Sequence, residues 1–451
     1  MTTSQPWSLV AAGFRRINGA RGELVWVAVG QGLAFCGSFF SVKMLTSVMG
    51  PVEYGKLAFG VTLAGVLQMF LYGPLSQALF RYFSVARERA ELPSYLSVIK
   101  RFHRGLAIVV VAVAVTASAA VALRVSNEWA LVVFFACIYG LATGVLSSFA
   151  LMQNALRQRK IVAIHQGADP WFRALISLAL IYVFRNSGFV VLIGFFCAAA
   201  LLDISQSLFA LRNQELKTAL QTSPNPSVQI QYRRELLAYA TPYLFAAGIN
   251  SIGMFGDRWT LQYLFGTGQL GIYAALCQIA TAPVSVISGM IMQLMTPVIF
   301  ERAGTLQSED QKHRSKRLLI GSIALFICAM AIVGVAFAIF GRTVVAWVSS
   351  PVFAEYHGVL WIIFVGMVLF HLAQQSSVVG QIHRTIRRYL PCYALNAIST
   401  LVLSFVLGRK FGMTGVAVGL LLSNALYLVS VLVVNRSFVQ PNKQELLSVP
   451  E

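Results

Sequence analysis

Apolar runs of about 20 residues recur from Leu24 to Val434, separated by short basic connections, and this feature constrains the chain more than any other. A run of that length is what a helix needs to cross hydrocarbon, and in lipid every backbone N–H and C=O must be satisfied internally. Each run is therefore expected to be a helix. The expected crossings are Leu24–Val48, Leu57–Phe83, Leu106–Leu123, Trp129–Leu151, Phe172–Phe184, Phe189–Leu211, Leu236–Phe255, Gly271–Ile299, Leu318–Phe340, Val359–Gly380, Leu390–Leu407 and Gly412–Val434. The fold class is all-α, a polytopic membrane protein with about twelve transmembrane helices. Of 451 residues, 57% are hydrophobic and 11% charged, which excludes a soluble enzyme or gene regulator. Arg15, Arg16 and Arg21 precede the first run like the charged start of a signal peptide. That run lacks a small-residue cleavage site and is read as a permanent span.

The net charge of +19 would point to nucleic acid in a soluble protein. Here it divides by loop. With a cytoplasmic N-terminus, the inner connections hold clusters such as Arg87, Arg89, Lys100, Arg101 and Arg104, then Arg157, Arg159 and Lys160, then Arg384, Arg387 and Arg388. The outer connections keep Lys56, Arg124, Arg185, Arg342, Arg409 and Lys410. This bias places both termini, Met1 and Glu451, in the cytoplasm and leaves no basic excess for nucleic acid. The cysteines Cys36, Cys137, Cys197, Cys277, Cys328 and Cys392 lie inside apolar runs, without disulfide or zinc spacing. They read as packing residues, and no metal or cofactor is expected.

The polar interval from Arg212 to Arg234, with Thr-Ser-Pro-Asn-Pro-Ser at Thr222 to Ser227, cannot continue a helix. It divides the chain into an N-terminal six-helix half, residues 1–222, and a C-terminal six-helix half, 223–451. A shift of about 216 residues without gaps aligns Gly32 with Gly248, Gly37 with Gly253, Phe39 with Phe255, Gly50 with Gly266, Gly55 with Gly271, Ala58 with Ala274, Gly73 with Gly289 and Gln77 with Gln293. Two like halves suggest a transporter with its site between them.

Met49-Gly50-Pro51-Val52-Glu53-Tyr54-Gly55, leading into Leu75-Ser76-Gln77-Ala78-Leu79-Phe80-Arg81-Tyr82, resembles the opening of bacterial polysaccharide-transport proteins. These are the Wzx-like O-antigen flippases of the multidrug/oligosaccharidyl-lipid/polysaccharide exporter superfamily. Asp257-Arg258, the stretch from Gly266 to Tyr273, the basic turn from Asn154 to Lys160, and Phe411 to Ala417 resemble further parts of that family. The resemblance implies two pseudo-symmetric six-helix bundles around a V-shaped central cavity, in a monomer of the bacterial inner membrane. It also implies transfer of an undecaprenyl-diphosphate-linked oligosaccharide from the cytoplasmic to the periplasmic leaflet. Membrane lipids, a coupling cation (H+ or Na+) and the polysaccharide polymerase or export machinery are the expected partners.

Such a head group needs a polar path, with cations for the diphosphate and amides or hydroxyls for sugars. Lys43 and Arg258 are the candidate cations; under the shift Arg258 corresponds to Val42, the neighbour of Lys43. The competing reading has Lys43 snorkelling to the interface. Asp257 either holds one of these cations, accepts a coupling proton, or forms a structural pair. Gln77 and Gln293 contact sugar or bond neighbouring helices. Arg81, one turn beyond Gln77, anchors to lipid phosphates or meets the diphosphate. Asn250 is placed mid-span for the cavity. Asp203, the lone carboxylate of the sixth span, is a coupling or packing candidate, whereas His371, Gln374 and Gln375 read as packing.

Two other functions compete with the flippase. A cation-coupled drug exporter should line its cleft with carboxylates, whereas the intramembrane charges here lean basic. A polysaccharide ligase or polymerase needs a sizeable outer loop bearing Arg and His; the longest, Gly341 to His357, carries Arg342, Glu355 and His357 alone. A transporter without catalytic residues is the expectation.

Overall fold

A computed structural model describes residues 6–303, 309–382 and 385–436; the expected cytoplasmic termini Met1 and Glu451, and Arg384, lie outside the described residues. The elements, in order, are α1 (Pro6–Val48), α2 (Pro51–Leu67), a π turn (Gln68–Tyr72), α3 (Gly73–Glu88), α4 (Leu92–Arg124), α5 (Asn127–Ala155), α6 (Arg159–Val183), α7 (Gly188–Leu211) and α8 (Gln214–Gln221). Then come α9 (Pro226–Ala303), α10 (Glu309–Val348), α11 (Pro351–Ala354), α12 (His357–Ser376), α13 (Val378–Ile382), a 3-10 turn (Ile386–Tyr389) and α14 (Leu390–Arg436).

Among the described residues, nine helical segments are long and apolar enough to cross a membrane. Two of these, of 70 and 50 residues, contain Gly266 (φ 78°) and Gly412 (φ 64°). That left-handed backbone suits glycine and reverses the chain, so α9 and α14 each make two crossings. The remaining crossing is α6. Its helix starts at Arg159, well before the expected Phe172, and contains Pro170. His165, Gln166, Asp169 and Arg173 depress its hydropathy without preventing a helix packed between α1 and α7. About twelve crossings therefore stand. The second expected crossing is α2 and α3 joined by the π turn, which accommodates Pro74 just beyond it.

The helix starts follow local chemistry. Proline opens α2, α4 and α11 where a missing N–H costs nothing. Ser126 Oγ accepts the Trp129 N–H at 3.3 Å, and Asn213 Oδ1 accepts that of Leu216 at 3.3 Å. The principal core joins Leu45, Tyr54, Leu57, Leu192, Leu261, Tyr273, Phe364 and Tyr427, which come from both halves of the chain. Ile108, Val113 and Leu123 of α4, and Leu325, Ile332 and Ile339 of α10, are exposed as lipid-facing residues must be.

The turns at Gly50, Ser126, Ser187, Gly266, Ser349 and Gly412 gather at one end, here termed the glycine end. Arg81, Glu91 and Tyr232 mark the opposite, basic end. At the glycine end Lys56 Nζ bridges Glu53 (2.7 Å) and Glu128 (2.8 Å), and Arg185 reaches Glu128 at 3.0 Å. Glu53 also accepts the Gly188 N–H at 2.9 Å. Glu128 thus ties α5 to α2 and to the turn that precedes α7, while Glu53 ties α2 to the start of α7. Glu128→Ala is expected to lower the thermal midpoint in detergent by an amount worth about 1 kcal/mol, the upper range for partly exposed pairs; Glu128→Asp should recover part of it.

Gly55 and Gly271, paired by the sequence shift, touch each other's helices reciprocally. A Cβ on Gly55 would lie 1.9 Å from the Thr267 carbonyl oxygen, and one on Gly271 would lie 2.0 Å from that of Pro51. Pro51 and Thr267 are themselves related by the same shift of about 216 residues. The contact is locally two-fold, and only glycine permits backbones so close.

Candidate functional site

Beneath this contact lies a cavity of about 110 Å³ between the α1, α2, α6 and α7 helices and both crossings of α9. Its charged lining side chains are Arg173 and Arg258; Ser38, Ser41, Tyr54 and Gln278 contribute polar atoms. No carboxylate lines it among the described residues. α6 delivers Arg173 from one side, held by Asp169 at 2.7 Å and Tyr139 Oη at 3.0 Å, with its guanidinium over the Phe195 ring at 5.4 Å. α9 delivers Arg258 from the other, over Phe255 at 5.4 Å and against Cys277. Nε of both arginines and Oδ1 of Asp169 are buried without a hydrogen-bond partner. Two guanidinium groups lining one small cavity without a carboxylate in its wall suit an anion.

Arg173 was not among the residues singled out from the sequence. Its signal was a charge inside an apolar stretch, hidden because the expected fifth crossing began only one residue earlier. Arg258 is among the residues lining the cavity. Asp257, one residue back, points elsewhere: it is 2% exposed and accepts the Tyr273 hydroxyl proton at 2.8 Å.

Lys43 does not line the cavity. Val42 does, matching Arg258 under the shift, and one residue of helix rotates the next side chain by about 100°. Lys43 Nζ instead donates to the carbonyls of Ala346 (3.1 Å) and Ser349 (2.7 Å) at the C-terminal end of α10. Those carbonyls have no intrahelical partner and sit at the negative end of the helix dipole. Lys43→Gln is therefore expected to cost roughly 0.5–2 kcal/mol in stability, read as a lower thermal midpoint, with Lys43→Arg close to wild type. An unchanged midpoint with lost transport would return Lys43 to substrate contact.

The remaining candidates lie apart. Gln77, Gln293 and Arg81 are exposed, nearer the basic end; Arg81 stacks its guanidinium over Tyr239 at 5.0 Å, across from α3 to α9. Asn250 Oδ1 accepts from Gln374 Nε2 at 3.2 Å, and Gln375 Nε2 donates to Ser288 at 3.1 Å, so these amides tie α9 to α12. Asp203 is half-buried with Oδ1 lacking a hydrogen-bond partner. Sequence reading also missed the amide network in which Asn396 donates to Asn424 at 3.0 Å and Asn424 to the Gly366 carbonyl at 3.1 Å. Among the described residues no group of His, Cys, Asp and Glu could hold a metal ion.

Solved structures share this architecture. An inward-facing multidrug resistance MATE family transporter of the MOP superfamily matches with a TM-score of 0.66 at 15% identity, over 92% of this chain and 98% of its own. The lipid II flippase MurJ in an inward closed conformation matches with a TM-score of 0.69 at 11% identity, over 91% and 87%. A MOP superfamily transporter from Pyrococcus furiosus, described as having a binding pocket of reverse polarity, matches with a TM-score of 0.60 at 15% identity, over 92% and 95%. At such identities the likeness shows the fold alone, that of the MOP transporters. No curated protein sequence matches the chain. The family model described as polysaccharide biosynthesis protein matches residues 23–302, well over half of the sequence. The chain belongs to the polysaccharide biosynthesis protein family and has the fold of a MOP superfamily membrane transporter.

Proposed function

We propose that this protein flips an undecaprenyl-diphosphate-linked oligosaccharide repeat unit from the cytoplasmic to the periplasmic leaflet of the bacterial inner membrane. The observation that carries the reading is the cavity between the two halves of the chain, charged by Arg173 and Arg258. A diphosphate is the part of such a substrate least able to enter hydrocarbon, and two partly desolvated guanidinium groups offset that cost. A drug exporter for cations would be repelled by the same lining. In the present arrangement the cavity holds a few waters at most, so a sugar diphosphate enters only when the halves part. Alternating access of residues 1–222 against 223–451, with the basic end cytoplasmic, meets that requirement.

In this scheme Arg81, Gln77 and Gln293 receive the head group at the basic end and Arg173 and Arg258 hold the diphosphate. Asn250 reaches sugar once its bond to Gln374 opens. Asp257 sets the charge balance beside Arg258, and Asp203 is the acceptor for a coupling proton. The repeat unit then passes to the polymerase or export machinery.

Deletion of the gene in its host tests the reading. The expected result is loss of a surface polysaccharide with its lipid-linked repeat unit accumulating on the cytoplasmic side. An unchanged surface polysaccharide, with increased sensitivity to cationic drugs, would favour the exporter instead.

A further inference from the structure

A second and larger cavity, about 540 Å³, lies outside the central site, within the N-terminal half and near the basic end. The ends of α3, α4, α5 and α7 form its walls with Leu79, Leu96, Ile99, Phe149 and Met152, and α8 covers it with Leu216 and Leu220. Its volume falls in the range of ordinary ligand sites, which run from about 300 to 1,000 Å³. A space so thoroughly apolar offers water almost no partners, whereas a hydrocarbon chain gains dispersion contacts along its length.

Charge is confined to the mouth. Lys100 lines it, and Arg104 stands one turn further along α4. Lys217 adjoins the groove-lining Leu216 on α8, about 100° round the helix from it, and is exposed. Lys100, Arg104 and Lys217 are exposed and form no ion pair among the described residues, whereas nearby Arg87 is taken by Glu215 at 2.8 Å. α8 has the amphipathic character of a helix lying in the plane of the interface: Leu216 and Ala219 are buried, Leu220 is 52% exposed, and Gln214, Lys217, Thr218 and Gln221 are exposed.

We propose that this groove is a binding site for an anionic phospholipid of the surrounding leaflet, one acyl chain lying along Leu96, Ile99 and Phe149 and the phosphate meeting Lys100, Arg104 and Lys217. The lipid tail of the transported substrate is a poorer occupant. Leu79 and Phe83 face the groove, but Gln77 and Arg81, two residues out of phase on α3, lie on the opposite face. A tail in this groove would lie on the far side of α3 from a head group at Gln77 and Arg81. The site thus depends on the chain lying in a membrane and not on the flippase reading. Because α8 leads directly into α9, lipid in the groove braces the connection between the two halves.

The test uses full-length protein purified in detergent and stripped of lipid, titrated with phosphatidylglycerol, phosphatidylcholine or undecaprenyl phosphate while thermal midpoint and bound mass are followed. Phosphatidylglycerol is expected to bind with unit stoichiometry and raise the midpoint, with phosphatidylcholine much weaker. Lys100→Glu with Lys217→Glu, both surface changes, should weaken phosphatidylglycerol binding at least tenfold, from roughly fivefold per cation near the surface. Ser207→Trp, which fills the groove from α7, should remove the bound lipid with the charges intact. Equal effects of the two phospholipids, retention of phosphatidylglycerol by both variants, or preference for undecaprenyl phosphate over phosphatidylglycerol would overturn the proposal.

Discussion

Arg258→Glu is expected to abolish export of surface polysaccharide while the protein still accumulates in the membrane. The substitution puts a carboxylate into a cavity whose charged lining is otherwise Arg173, at the place where a diphosphate must pass. Removing the cation by Arg258→Gln forfeits a charge-assisted contact of roughly 1.5–3 kcal/mol, about ten- to hundredfold in transport; reversal adds repulsion to that loss. Arg258→Lys keeps the charge but not the planar fork and should retain part of the activity. Arg173 is a less clean probe. Its loss leaves Asp169 without its partner inside the helix array, and a buried charge without its partner destabilises the fold directly. A double variant, Asp169→Asn with Arg173→Gln, separates the two effects: it should fold normally and still transport poorly. Export rates are compared with membrane abundance throughout. Wild-type export by a well-expressed Arg258→Glu protein would remove the central cavity from the mechanism.

The second large effect is expected at Gly55 and Gly271. A leucine at either position puts its Cβ about 2 Å from a carbonyl oxygen of the facing helix, and backbone cannot move aside as a side chain can. Each substitution should cost about 1–3 kcal/mol in the arrangement seen here. It costs nothing in a state where the glycine end has opened. The equilibrium therefore shifts toward that state, and transport falls because the cycle cannot close. Ser38, on the cavity wall, reports the change. In a background lacking the exposed Cys36 and Cys328, a Ser38→Cys thiol should react faster with an impermeant reagent from the glycine end once Gly55→Leu is added. Unchanged labelling with unchanged transport would mean that the reciprocal contact does not gate the cavity.

The fold was largely legible because a bilayer removes choice. A run of apolar residues long enough to span must become a helix, and Gly266 and Gly412 mark reversals that little but glycine can make. The fifth crossing was misplaced because Asp169 and Arg173 neutralise one another only in three dimensions, whereas a hydropathy window counts each separately. The same cancellation hid Arg173, half of the basic pair. Arg258 was visible as a cation inside an apolar run. Lys43 was equally visible, but its direction was not: rotation by a single residue decides between the cavity and the end of α10. The Gly55/Gly271 contact showed in the repeat as matched positions without any sign that the two would touch. The lateral groove was illegible, since leucine and phenylalanine around a void look no different in sequence from leucine and phenylalanine in a core.

The most direct measurement is lipid transfer by the purified protein. Reconstituted into sealed vesicles with an undecaprenyl-diphosphate oligosaccharide, the wild type should move the sugar head between leaflets, scored by its accessibility to an impermeant sugar-modifying enzyme. Arg258→Glu at the same protein density should match protein-free vesicles. Equal transfer by wild type and Arg258→Glu, or none by the wild type under conditions where it expels a cationic dye, would contradict the assignment.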